Sequence, residues 1–270
     1  MATYLDTILR RHRASAARDD RDLEALVAGA TSLGPARGFR QALRPGNESG
    51  RVTGGGAKVI AEVKRRSPSK GDLAPDLVPG VLAKAYASGG ASCLSVLTDH
   101  EFFGGSPDDL AEARAAVELP VLRKDFTISA ADVCDARLMG ADALLLIVSA
   151  LAGPELADLL ALAHRVGLDA LVEVHDEAEA EFALSAGAEL IGVNQRDLMT
   201  FEVDPTRAVR VAAQLPDRVV KVAESGIRSR QDVARLEEAG FDAVLVGEAL
   251  VTAPDPGAAL AALAKGAPCS

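Results

Sequence analysis

No tryptophan occurs anywhere in the 270 residues, and aromatics together make up only 3%. The core must therefore be filled by Ala, Val and Leu, and a phenylalanine placed outside it is conspicuous. Cysteine is equally sparse. Cys93, Cys134 and Cys269 are odd in number and far apart, which excludes a disulfide framework, offers no metal spacing and fits a reducing compartment. Positive charge is in deficit, with 29 Lys and Arg against 39 Asp and Glu, a net charge of −10. That balance argues against general nucleic-acid or acidic-membrane binding. It does not exclude a small anion, which a few lysines and backbone N–H groups can hold inside an acidic protein. No stretch reaches the roughly 20 apolar residues of a membrane span, and the N-terminus has no apolar signal core. The expectation is a cytoplasmic protein with no nucleic-acid or membrane partner and no evident obligate protein partner.

Residues 4 to about 30 carry Leu5, Ile8, Leu9, Leu23, Leu26 and Val27 at helical spacing, so one helix is expected there, with a short second one over 35–43. Residues 44–57, with Gly54, Gly55 and Gly56, are expected to form a flexible loop. Some 45 residues are marginal as an independent domain, so residues 1–57 are expected to be a helical extension packed on a main body of residues 58–270.

From Lys58 onward, short apolar runs at 59–64, 93–97, 121–124, 143–148, 170–174, 190–194, 219–224 and 243–246 alternate with helical patterns at 75–88, 107–117, 129–139, 154–166, 176–186, 205–214, 229–239 and 256–265. Continuous rather than alternating apolar runs indicate parallel strands buried on both faces. Eight strand–helix units in about 210 residues predict an α/β fold, a closed (β/α)8 TIM barrel, with an open doubly wound sheet as the alternative. Gly90-Ala91-Ser92, Gly140-Ala141-Asp142, Gly187-Ala188-Glu189 and Gly240-Phe241-Asp242 recur about every two units, as a pseudo-symmetric barrel requires.

Active sites of such barrels lie at the C-terminal ends of the strands. Here the apolar runs end in polar residues: Glu62 and Lys64, Lys124, Glu173, Asn194, then Glu224-Ser225-Gly226, with Gly247 after the last. Ile60, Glu62 and Lys64 share one strand face. Two lysines and three carboxylates at one rim suit general acid–base catalysis or an imine-forming lysine. His100 and His175 are taken as solvated loop residues, no metal cluster is evident, and no nucleophilic triad stands out. The last two loops, with Ser225, Gly226 and Gly247, suit an anion clamp. Ser67 lies in the loop after the first run. Phe102, Phe103 and Phe126 fall in loops at the same end and offer a wall for a planar substrate.

The segments AEVKRRSPSKG, SVLTDHEFFGGS, LPVLRKDF, GADALLLIVSAL, LVEVHDEAE, IGVNQRDLMTFEVD, VAESGI and VLVGEALV resemble, in order, the motifs of the indole-3-glycerol phosphate synthase family over about residues 58–250. The resemblance implies a cofactor-independent carbon–carbon lyase of tryptophan biosynthesis, acting on 1-(2-carboxyphenylamino)-1-deoxyribulose 5-phosphate. It implies Lys124 as general acid in ring closure, and Lys64 on the substrate carboxylate and as an acid in dehydration. Glu173 becomes the base, and Glu62 orients Lys64 or moves protons. Asn194 and Arg196 position hydroxyls and carboxylates. Glu224 and Ser225 line the site, Ser225, Gly226 and Gly247 lie near the phosphate with Ser67, and Phe103 and Phe126 flank the aromatic ring. Gln195 and Ala223 stand where the family commonly has Asn and Ser, on the outward face. A Schiff-base aldolase and a non-catalytic phosphate-binding barrel are the other readings.

Overall fold

The computed structural model describes residues 3–44, 56–197 and 200–265. Cys269 and most of the expected loop at 44–57 lie outside them. Three helices precede the barrel: α1 (Tyr4–Ala16), α2 (Leu23–Thr31) and α3 (Phe39–Leu43). The barrel strands are β1 (Lys58–Val63), β2 (Cys93–Leu97), β3 (Val121–Lys124), β4 (Ala143–Ile147), β5 (Asp169–Val174), β6 (Leu190–Asn194), β7 (Val220–Glu224) and β8 (Ala243–Val246). Successive strands pair in parallel, and β1 closes on β8 with Ile60 opposite Leu245, so the sheet is a closed (β/α)8 barrel and not an open one.

The accompanying helices are α4 (Pro79–Gly89), α5 (His100–Phe103), α6 (Pro107–Ala116), α7 (Ala130–Leu138), α8 (Gly153–Arg165), α9 (Glu177–Ser185), α10 (Pro205–Ala212), α11 (Arg230–Glu238), α12 (Glu248–Val251) and α13 (Pro256–Lys265). No described helix is long and apolar enough to cross a membrane. The four repeated turns end α4, α7, α9 and α11, with their glycines at φ between 86° and 96°, a left-handed stop in which a Cβ is strained.

Two apolar layers follow from strand alternation. Ala61, Val63, Leu94, Val96 and Val172 point outward into the helix layer. Ile60, Leu122, Leu145, Leu171, Val222 and Leu245 fill the barrel interior. Phe39 and Leu43 of α3, both fully buried, join that inner layer. The peptide N–H groups of Arg37 and Arg40 donate to the Asp142 and Asp169 carboxylates, each at 2.8 Å. Those aspartates stand at the N-terminal ends of β4 and β5, so α3 closes the floor opposite the polar rim.

The helix expected over 4–30 is two helices. Asp19 captures the Arg21 guanidinium, and Asp22 caps α2 by accepting from Glu24 N at 2.9 Å, so local side-chain bonds compete with a continued helix. The expected helix over 35–43 is reduced to its last five residues, and α4 begins at Pro79 instead of residue 75. A small antiparallel hairpin, Arg66–Ser67 with Gly71–Asp72, follows β1, and neither it nor α5 nor α12 was evident from periodicity.

Candidate active site

Halfway up, the barrel interior changes from aliphatic to ionised. Above Ile60 stand Glu62 and Lys64, above Leu122 Lys124, above Leu171 Glu173, and above Val222 Glu224. β6 contributes Asn194, paired in register with Glu224. All six line one cavity of about 180 Å³ at the C-terminal mouth. The polar residues that the sequence places at the strand ends are thus brought together.

Buried ions persist only when paired. Lys64 forms a close ion pair with Glu62. The Lys124 ammonium lies 3.3 Å from Glu173 Oε2 and 3.8 Å from Glu224 Oε2. Burial alone would lower its proton affinity, but the Glu173, Glu224 and Glu62 charges hold it above the ordinary lysine value. Burial would raise Glu173, yet Lys124 and His175 outweigh it and keep that carboxyl well below the usual range. Asn194 Nδ2 also donates to Glu173 Oε1 at 3.0 Å. Glu224 goes the other way: burial, and then the neighbouring Glu173 charge, push it up to about 8. Its Oε1 is buried with no hydrogen-bond partner among the described residues. The two glutamates flanking Lys124 are thus pushed in opposite directions, Glu173 towards the carboxylate and Glu224 towards the carboxylic acid.

His175 is not a solvated loop residue. Its ring is largely buried, with Nδ1 3.0 Å from Glu179 Oε2 and Nε2 3.4 Å from Glu173 Oε1. Burial lowers its proton affinity, but the two carboxylates raise it to about 10. His100 does open a short surface helix and is exposed.

Phe103 and Phe126 wall one side of the cavity, with ring centroids 6.3 Å apart. Phe102 instead packs edge-on against Tyr4. Ser67 lines the same space, and its hydroxyl is buried without a partner among the described residues. The Arg196 N–H donates to Asn194 Oδ1 at 3.0 Å, and its guanidinium reaches the Phe201 carbonyl at 2.9 Å.

At the far side, Ser225 and Gly226 adopt consecutive left-handed conformations, φ 68° and 73°. Gln195 Nε2 grips the Ser225 carbonyl at 2.7 Å, a positioning contact that its outward placement in sequence concealed. A Cβ on Gly247 would collide with the Glu62 carboxylate and lie 3.1 Å from Lys64 Nζ, so a larger residue there would push the Glu62–Lys64 pair aside.

Tyr4, Leu5 and Ile8 of α1 and Arg228 after β7 also face the cavity. Sequence reasoning missed them because nothing in a helix period or a single arginine reveals what lies across from it. Helix α1 is fastened over the mouth by His12 Nε2 to Asp99 Oδ2 at 3.1 Å and by the Arg13 guanidinium to the Ala150 carbonyl at 2.9 Å. No metal-ligand spacing is visible in the sequence, yet folding brings His12, Asp99 and Asp125 within reach of one another. These groups already have partners: Asp125 pairs with Arg123 at 3.0 Å, and Asp99 caps α5.

Among solved structures, thiamine phosphate pyrophosphorylase from Pyrococcus furiosus covers 76% of the chain with a TM-score of 0.58 at 18% identity, a likeness of fold alone. Sequence comparisons are more specific. The family described as indole-3-glycerol phosphate synthase matches residues 5–263. Indole-3-glycerol phosphate synthase 2 of Streptomyces coelicolor is 52% identical, with 93% of each chain covered. The indole-3-glycerol phosphate synthase of Variovorax paradoxus is 47% identical over 98% of this chain and 100% of its own. That of Chlorobium luteolum is 47% identical over 94% of this chain and 95% of its own. This chain therefore belongs to the indole-3-glycerol phosphate synthase family.

Proposed function

We propose that this protein converts 1-(2-carboxyphenylamino)-1-deoxyribulose 5-phosphate to indole-3-glycerol phosphate, with loss of carbon dioxide and water. The observation that carries the reading is the seating of Lys124 between Glu173 and Glu224, in the same mouth as the Lys64–Glu62 pair.

The substrate's aromatic ring packs against the wall formed by Phe103 and Phe126, and its carboxylate pairs with Lys64, which Glu62 holds in place. The ring carbon bearing that carboxylate attacks the ribulose carbonyl, and Lys124 protonates the developing alkoxide. A carbonyl entering between Lys124 and Glu173 weakens their ion pair and returns the ammonium towards ordinary acidity. Carbon dioxide then leaves. Loss of the hydroxyl as water takes a proton from an acid, Lys64 or the neutral Glu224, and Glu173 removes the ring proton. Asn194 and Arg196 orient the substrate hydroxyls and Glu173. The turn at Ser225 and Gly226, with Gly247 and Ser67, receives the phosphate, and Arg228 adds a cation at that side. Every step is a proton transfer or the making or breaking of a bond within one substrate, with no net redox change, so the scheme requires no cofactor. Residues 1–57 serve as a helical extension of one structural domain with barrel 58–270, acting in the cytoplasm.

An imine-forming aldolase needs a lysine with depressed proton affinity, and the opposite holds at Lys124. A simple binding barrel has no use for two ion pairs and a neutral acid in one cavity. Mixing the protein with the carboxyphenylamino-deoxyribulose phosphate is expected to generate indole fluorescence. Its absence, or a lysine adduct trapped by borohydride from a keto-sugar phosphate, overturns the reading.

A further inference from the structure

His175 is a buried ring that the scheme above does not use. It follows β5 directly, two residues beyond Glu173, so the strand carries both to the same rim. Glu179, one turn into α9, fixes the ring twice. Its Oε2 accepts from the His175 backbone N–H at 2.7 Å and lies 3.0 Å from Nδ1. The Asp176 side chain in turn caps that helix through Glu179 N at 2.8 Å. Nε2 is left facing Glu173 Oε1 at 3.4 Å. The charged groups around it are Glu173 on β5, Glu179 on α9, Glu224 on β7, and Lys124 on β3 beyond the other Glu173 oxygen.

Glu173 therefore has Lys124 on one side and the His175 ring on the other, and the two differ in what the reaction asks of them. Lys124 must leave the carboxylate to reach the substrate, whereas His175 is locked to α9 and cannot. We propose that His175, braced by Glu179, is a positioning residue for Glu173. It supplies the fixed positive charge that keeps this carboxylate ionised and aimed into the cavity while Lys124 is engaged elsewhere. The role rests on the reading of Glu173 as the base. A histidine, and not a neutral donor, suits the position because only the charged ring presents an N–H towards each carboxylate: Nδ1 is bonded to Glu179, while Nε2 faces Glu173 at 3.4 Å without a formed hydrogen bond.

Two measurements on the whole protein test this. A 15N-histidine NMR titration, with the His175 signal identified by its loss in H175Q, is expected to show this ring still protonated beyond pH 8. In E179Q its titration should fall by about one unit or more, the lower range for a lost contact charge. In steady-state kinetics, H175Q keeps a hydrogen-bond donor but no charge. The acid limb of its kcat profile is expected to move up by about one pH unit, which is roughly tenfold in kcat along that limb, with KM changing by less than about twofold. E179Q, which retains the ring, should shift the limb the same way by less.

A His175 that titrates near 6.5, an H175Q profile that superimposes on the parent, or a loss equal at every pH overturns the proposal. Should H175Q not fold, E179Q and the parent titration decide it. A parent protein that does not turn over the substrate overturns the proposed function instead, and the titration alone then judges the clamp.

Discussion

Lys124→Met keeps the length of the side chain and removes its charge. Glu173 retains Asn194 and His175, so the fold should survive. Turnover is expected to fall by at least about 10²-fold, the lower range for a lost general acid. Single-turnover kinetics with circular dichroism as a folding control checks this, and near-parental turnover removes Lys124 from the chemistry. Glu224 gives a second test. Its proton affinity in the folded protein is raised to about 8 from an ordinary 4.5. Between those pH values folding must take up a proton, so this group's contribution to stability declines as pH rises from about 5 to 8. Glu224→Gln has no such dependence. The melting temperature of the variant minus that of the parent should therefore grow across that window, and a constant difference refutes the assignment. The carboxylates and lysines were legible in sequence because a charge ending an apolar strand has no inexpensive structural excuse. His175 was not, because its character comes from Glu179 on the next helix, and residue type alone does not distinguish a wet loop histidine from a braced one.

The barrel strands were legible almost to the residue, since strands buried on both faces are written as unbroken aliphatic runs. Helix α1 was placed, but its end was not. Helical periodicity runs straight through the Asp19–Asp22 stretch, and only the hydrogen bonds of Arg21 and Asp22 break it. Its position over the mouth could not be read at all. The consequence is testable: Ile8 is buried against the cavity. Ile8→Ala should loosen the docking of α1 and raise KM by about tenfold, equivalent to roughly 1.4 kcal/mol of lost substrate binding. The melting temperature should fall as well, since emptying a buried isoleucine site costs roughly 2–5 kcal/mol, so KM is compared well below the unfolding range. An unchanged KM shows that α1 does not shape the site.

On the scale of the molecule, the N-terminal extension touches both ends of the barrel, with α1 over the catalytic mouth and α3 beneath the floor. Phe39 is fully buried in the inner layer. Phe39→Ala should cost roughly 3–5 kcal/mol of stability, the usual range for an emptied aromatic site. The charged ring lies several residues higher, so kcat at low temperature should hold. Denaturant titration alongside kinetics separates the two, and a kcat that falls in step with stability refutes the division. The overall topology was legible because eight units and a recurring glycine turn admit few closures. The floor plug was not, because a five-residue helix carries too little periodicity to show where it docks.

The step from aliphatic to ionised interior has a consequence for how such a protein can change. The two storeys share their strands and meet at a thin seam, where Leu145 and Leu245 line the cavity and Phe126 packs on the inner layer. Leu122 and Leu171 lie below that seam and can trade volume with each other while the reacting groups above keep their spacing. A catalyst stratified by height in this way can adjust its heat tolerance in the cellar and its chemistry in the attic as two separate inheritances.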